Sequence, residues 1–526
     1  MKPLVYEQTT FRGMRDSFDP SSSAPNLCYL LKNCYPLDRI SGSSLVARPG
    51  YGRMGVAGGE RGGTGATRQV QWLGQYTKLD GTESTIRICG GLLDTYNWTT
   101  DAWTNVALSG AGVALPASGI VYATVFANKL VVQPNDGTNK PFTFDGTTFV
   151  SLTNSPALWG PVTVYYAKLF GVMNTSRNTV VWSEENDPTL GYDTATYNNA
   201  WQLGQTDQEA VRCLVGTNEA LYYWRERSLG AIRGAVTPDF SSDGTREGVS
   251  ETVGTISPAC VVVWDREIYF LDADARPHVL TFGGALTPLW DNVRETSWRT
   301  TKSYLTSAVG EAYPAANLVL LGFRYTDTSY PGRCYAIDVS TKQIAGQFDG
   351  YTFERMGTVK NATGTLYLVH GSPTGYVYKH GNPDEAVWTD TAVAGDGGTQ
   401  AVTHKVIGPA LGYDTATEKH WERLDIAVVL YTTLTNVAAG YTTPRGSQTT
   451  LNVASVAGGL SFWDGASVWD TATWSDEGME RHLSYGISAE GRWLRPEVTH
   501  SAAGERFNLS GWRLQAFPAS QHPSAK

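Results

Sequence analysis

One regularity limits the folds open to this chain more than any other: short apolar strand cores return along it at a period in the forties. They begin at Ile86, Leu130, Leu169, Leu221, Ile268, Leu318 and Leu366, with successive spacings of 39 to 52 residues. Turn-forming residues introduce several of them, as in Asn128-Lys129-Leu130, Asp265-Arg266-Glu267-Ile268 and Thr363-Gly364-Thr365-Leu366. Polar hairpin turns follow several: Tyr96-Asn97-Trp98-Thr99-Thr100-Asp101, Phe144-Asp145-Gly146-Thr147-Thr148-Phe149 and Ile337-Asp338-Val339-Ser340-Thr341-Lys342. Asn and Asp nucleate such turns by accepting from backbone a few residues on, and Gly supplies positive φ. A repeat of this length holds about four short strands, which is the signature of a propeller blade. Separate sandwich domains would give strand and turn signals at finer spacing without the longer period.

The expected fold is therefore all-β: a β-propeller of seven blades by this count, with six or eight left open. The N-terminal segment or a late strand would complete one blade, because closing the ring protects strand edges. Composition agrees. The 526 residues include 56 Gly and 24 Pro, 11% are aromatic and only 17% are charged, which suits many short strands and turns.

Residues 1–52 read as an extended arm, since Pro20, Pro25 and the Ser21-Ser22-Ser23 run oppose long regular elements. Residues 55–66 form a Gly-rich loop. The propeller is expected over 53–385. A smaller, sandwich-like β domain is expected over 386–526, where strands lengthen and Trp512-Arg513-Leu514-Gln515-Ala516-Phe517 alternates with period two. The tail 520–526 is expected to be loose.

Chemistry is harder to find than architecture. The Gly-rich loop lacks the Lys-Ser/Thr of a phosphate-binding loop. The eight histidines (His278, His370, His380, His404, His420, His482, His500, His522) form no HxH or HExxH pattern, and each reads as a surface or capping residue. No Gly-x-Ser-x-Gly elbow is present. Asp94, Glu184, Glu185, Asp187, Asp265, Asp272 and Asp274 are acidic candidates for glycan chemistry, but nothing in the sequence pairs them. The run Ser241-Ser242-Asp243-Gly244-Thr245 has sialidase-box letters at the wrong spacing. The aromatic cluster Trp463, Trp469 and Trp474 could stack on sugars or pack within the C-terminal domain. The six cysteines contain no CxxC, so free buried thiols are expected. The matches to the glycosylation pattern at Asn97, Asn174, Asn361 and Asn508 read as chance. No catalytic residue, cofactor site or metal site is assigned. The start Met1-Lys2-Pro3-Leu4-Val5-Tyr6-Glu7 has no signal-peptide character, and no run reaches the ~18 apolar residues of a membrane span. A chain made in a reducing cytoplasm is the simplest expectation. The net charge of −9 argues against tight sequence-independent grip on nucleic acid.

A set of short motifs in fixed order gives the chain a family resemblance. They are Phe11-x-Gly13 and Asp19-Pro20, then Leu45-x-x-Arg48-Pro49-Gly50-Tyr51. Lys168-Leu169-Phe170, Trp182-Ser183, Asp187-Pro188 and Trp201 follow. After them come Leu221-Tyr222-Tyr223-Trp224 with Ile232-Arg233-Gly234, Gly254-Thr255-Ile256-Ser257-Pro258, and Glu267-Ile268-Tyr269-Phe270-Leu271. Asp396-Gly397, Lys419 and Trp463-Asp464/Trp469-Asp470/Trp474 close the series. In this order the chain resembles the β-propeller tail nozzle (tail-hub or tubular) proteins of short-tailed bacteriophages. The resemblance implies a non-enzymatic structural protein of the virion tail, made in the host cytoplasm. Its copies would form a homo-oligomeric ring, six-fold by expectation, continuing the DNA exit channel below the portal and adaptor. Its partners would be adaptor proteins, tail fibres or spikes, and DNA passing without sequence-specific binding. An acidic lumen would let DNA slide by repelling phosphates. The competing reading is a glycan-binding or glycan-cleaving tail propeller.

Overall fold

The computed structural model describes residues 3–14, 27–36, 44–55, 69–192, 198–203, 209–234, 245–289, 302–323, 332–351, 353–382, 389–391, 399–412, 417–430, 434–456, 479–503 and 505–519. The chain is all-β. Among these residues, α-helix is limited to the single turn Lys302–Leu305.

Antiparallel four-strand meanders follow one another around a β-propeller. Among the described residues seven are traced, spanning 70–106, 122–151, 158–202, 213–250, 262–288, 309–351 and 355–380, the last completed by a strand from the N-terminal segment. We number them as blades in this order. Each apolar core of the sequence repeat falls on the second strand of its meander, from Ile86 in Glu83–Cys89 to Leu366 in Leu366–Gly371. The quoted polar turns all join third and fourth strands. Asp145 Oδ1 accepts from the backbone of Thr147 and Thr148 (2.9 and 2.8 Å), and Asn97 Oδ1 from Thr99 (2.9 Å). The same local chemistry is thus reused around the ring.

Blade seven supplies three strands of its own. Its fourth is Tyr51–Met54, antiparallel to Val377–His380 with Met54 opposite Val377 and Tyr51 opposite His380. The N-terminal segment therefore completes a blade, and the closing strand straddles the 52/53 boundary expected from composition. Blade seven meets blade one directly: Val70 N donates to Ser372 O (3.1 Å), Arg355 Nε to Gln71 O (3.1 Å), and Lys360 Nζ pairs with Glu83 (2.8 Å).

Large aromatics fill the seams between blades. Trp182, buried and stacked on Phe170, shares a core with Tyr165 of blade three and Leu214, Leu221 and Tyr223 of blade four. Trp224 packs edge-on against Phe270 of blade five. Each such ring buries enough apolar area for roughly 4–6 kcal/mol of transfer free energy. The Trp182 and Leu221–Trp224 motifs are therefore packing residues.

Beyond the propeller, two sheets face each other over one core, as in a sandwich. One is built from Met479–Gly491, Lys419–Leu430, Phe507–Pro518, Leu45–Ala47 and Cys34–Pro36, with Leu4–Gln8 also on Phe507–Pro518. The other contains His404–Ile407, Arg495–His500, Leu434–Thr443 and Gly446–Val456. Trp421, Ile426, Phe507 and Leu514 from the first meet Val406, Val437 and Val498 from the second, and the same core runs on to Leu321 and Ile337 of blade six. Leu30–Lys32 fuses the two regions: Lys32 pairs in parallel with Gln347 of blade six and antiparallel with Lys405 of the sandwich. The described part of the N-terminal arm thus carries strands of two to five residues shared among several sheets.

Candidate functional site

The motif Leu45-x-x-Arg48-Pro49-Gly50-Tyr51 lies where sandwich and propeller join. Leu45–Ala47 belongs to a sandwich sheet and Tyr51–Met54 to blade seven. Pro49 separates the two strands by removing a ladder donor. Arg48 is buried between them. Its Nε donates to Asn33 Oδ1 (2.9 Å), Nη1 to Pro49 O (3.1 Å) and Nη2 to Asp349 O (3.1 Å). Asn33 adopts the left-handed conformation (φ 55°), which short polar side chains tolerate. Its Oδ1 also accepts from Asp349 N (2.8 Å), and its Nδ2 donates to Thr403 O (2.8 Å). One Asn–Arg pair therefore ties the arm to blade six and to the approach to the sandwich.

Behind this joint, Tyr51 packs edge-on against His370 (4.8 Å between centroids) and Tyr378 (5.4 Å). His370 Nδ1 lies 2.8 Å from His380 Nε2. Burial, then the nearby Arg48 cation, pushes His370 down to about 3. Burial, His370 and Arg48 hold His380 well below the ordinary range. Both rings are neutral at physiological pH, so the pair is a packing element beside a cation.

The first strands of the blades carry a second polar cluster. Glu311 of blade six accepts at Oε1 from Ala312 N (3.0 Å) and from Thr358 Oγ1 of blade seven (3.2 Å). Burial raises its carboxyl to about 7, against the opposing effect of those hydrogen bonds. Tyr122 of blade two has its phenol raised by burial and lowered by Arg355 of blade seven, with smaller raising effects from Cys213 and Cys260. The Arg355 cation of blade seven therefore acts on the Tyr122 phenol of blade two, while Glu311 is held between blades six and seven. Glu311 can hold or release a proton at this seam between blades six and seven.

The sequence-flagged histidines are mostly interior, which corrects the surface reading. His278, His370, His380, His404 and His500 are all buried. His278 Nε2 meets Asp272 Oδ2 at 3.0 Å, and His500 Nε2 meets Glu505 at 2.8 Å while its Nδ1 faces His404 Nδ1 at 3.3 Å. Imidazole on a strand fills core volume as an aromatic ring does once one of its nitrogens finds a partner, and no local pattern marks that choice.

The acidic candidates are dispersed. Asp94 forms a buried ion pair with Arg87 (2.9 Å), Glu184 accepts from Asn199 Nδ2, Asp187 caps its own turn through Thr189, and Asp274 faces Arg276 at 3.9 Å. No group of three or more His, Cys, Asp and Glu side chains among the described residues could hold a metal. All six cysteines are free and buried. The Trp463, Trp469 and Trp474 cluster, residues 56–66 of the Gly-rich loop, Ser241–Gly244 and the 520–526 tail lie outside the described residues. No described helix is long and apolar enough to cross a membrane.

No protein-family model matches the chain, and no curated protein does. Among solved structures it is similar to the WD40 domain of Pan2 from Neurospora crassa, with TM-score 0.38 and 7% identity over 64% of this chain and 96% of that one. It is also similar to BamB from Moraxella catarrhalis, with TM-score 0.35 and 11% identity over 72% of this chain and 99% of that one.

Proposed function

We propose that this chain is a structural subunit of a short-tailed phage tail nozzle, with copies forming a ring around the DNA exit channel and no enzymatic activity of its own. The observation that carries the reading is the Arg48 joint. The family-like motif Leu45-x-x-Arg48-Pro49-Gly50-Tyr51 coincides with the segment that completes a blade and anchors the sandwich. A channel wall that must withstand DNA passage needs its two parts to move as one body, and a buried guanidinium with three acceptors in three segments supplies that coupling. The acidic balance of −9 suits a wall that phosphates slide past.

Native mass spectrometry of the purified chain, alone and with head-to-tail adaptor protein, tests the proposal. The expected result is a closed oligomer, hexameric by expectation, that binds the adaptor. A monomer or trimer that depolymerises host polysaccharide would overturn it.

A further inference from the structure

The outer face of the arm-bearing sandwich sheet carries a cleft of about 530 Å³, within the roughly 300–1,000 Å³ range of small-molecule sites. A slip in strand pairing lies at its floor. Ala427 faces Gly511, but Val428 faces Leu509, so Ser510 is the extra residue of a β-bulge. Bulges re-aim side chains and often stand next to binding sites. The Ser510 Oγ is buried and has no hydrogen-bond partner among the described residues. Ala427 and Gly511 make the floor low. A Cβ on Gly511 would stand 2.7 Å from Gln8 O, so this floor position accepts only glycine.

Polar groups of both signs surround the floor. Cross-strand pairing aligns Ser484, Asp425, Arg513 and Glu7 in one row. Asp425 is only 8% exposed. Its Oδ1 accepts from Arg423 Nε (2.7 Å) and Ser484 Oγ (2.5 Å), which fixes the carboxylate and leaves Oδ2 without a partner among the described residues. Arg513 and Glu7 line the same cleft, and their side chains have no hydrogen-bond or ion-pair partner among the described residues.

This mixture selects a ligand class. An anion would meet two carboxylates and a cation would meet two guanidinium groups. An apolar ligand would bury Asp425 and Ser510 without partners, at a cost. A hydroxyl both donates and accepts, so neighbouring hydroxyls on a sugar ring can give to Asp425 and Glu7 while accepting from Arg513 and pairing with Ser510. We propose that this cleft binds a saccharide of one or two sugar units. The site lies on the sandwich and does not depend on the nozzle reading, since ring assembly and sugar binding are measured separately.

The test uses the full chain, with saturation-transfer NMR and titration calorimetry against glucose, galactose, N-acetylglucosamine, maltose and lactose. Glycine and inorganic phosphate serve as zwitterionic and anionic probes. Saturable binding of at least one sugar is expected. Arg513→Ala, at an exposed position that leaves the fold intact, should weaken it about tenfold or more, as loss of a charge-assisted hydrogen bond does. Ala427→Leu, which raises the floor, should abolish it. No saturable binding of any of these sugars would overturn the proposal. So would sugar binding unchanged by both variants, or preferential binding of glycine or phosphate at this cleft.

Discussion

His370 Nδ1 faces His380 Nε2 across 2.8 Å, between neighbouring strands of blade seven and against the closing strand's Tyr51. Both rings are held neutral, His370 down to about 3 and His380 well below 6.5, chiefly by burial. In the unfolded chain they protonate near the ordinary value. Between about pH 6.5 and 3 the unfolded state therefore binds more protons, and stability falls as pH falls through that window. Each group contributes a slope of about 1.4 kcal/mol per pH unit. Thermal midpoints measured from pH 7 to 4 should drop steadily. The double variant His370→Gln, His380→Gln should show a flatter profile, whatever its midpoint at neutral pH.

Glu311 has the opposite sign. Its carboxyl is raised to about 7, so the folded state holds the proton longer than the unfolded state does. Its contribution is fully present below about pH 4.5 and is lost as pH rises towards 7. Glu311→Gln keeps the acceptor for Ala312 N and Thr358 Oγ1 while removing the titration. The variant should be more stable than the parent at pH 8, by about 2 kcal/mol after allowance for partial exposure, and nearly equal at pH 4. Equal gains at both pH values would contradict the assignment.

Arg87 and Asp94 form an ion pair in which both side chains are almost fully buried, 2.9 Å apart. Arg87 also donates to Gly375 O of blade seven (3.2 Å) and lies over the Trp103 ring (4.5 Å). Asp94→Ala leaves a buried cation uncompensated and should cost about 3–5 kcal/mol. Arg87→Met with Asp94→Leu should cost markedly less than the sum of the single changes. A double-mutant cycle by denaturant unfolding checks this, and an additive result would rule out direct coupling.

Gly216 has no room for a side chain. A Cβ there would overlap the Val164 carbonyl of blade three, with Tyr165 Cβ only 3.2 Å away. Gly216→Val forces the first strands of blades three and four apart. It should lower the thermal midpoint by more than 5 °C, a loss on the order of several kcal/mol, whereas Gly248→Ala, with open space around it, should change little.

The parts of the fold that sequence announces are those built from local repeats. Ile86, Leu130 and Leu169 mark second strands because each sits in a hairpin whose turns are made by adjacent residues. The four-strand meanders were legible for the same reason. The arm was not. Met54 opposite Val377, or Lys32 beside Gln347, is a pairing between residues more than three hundred positions apart, and no local pattern encodes it. The saccharide cleft was equally hidden, because Ser510 becomes a bulge residue only when two long strands lose register. The buried histidines were misjudged because burial depends on which sheet face a strand presents, and that is fixed by tertiary packing.

Copies of this chain are proposed to close into a ring around a DNA channel. Electron cryomicroscopy of virion tails, with the propeller and sandwich fitted as one body joined at Arg48, tests it most directly. The account predicts several copies arranged symmetrically around an open axial channel below the portal, with the joint intact in each. Density that places the chain only at the tail periphery, outside the channel wall, would contradict it.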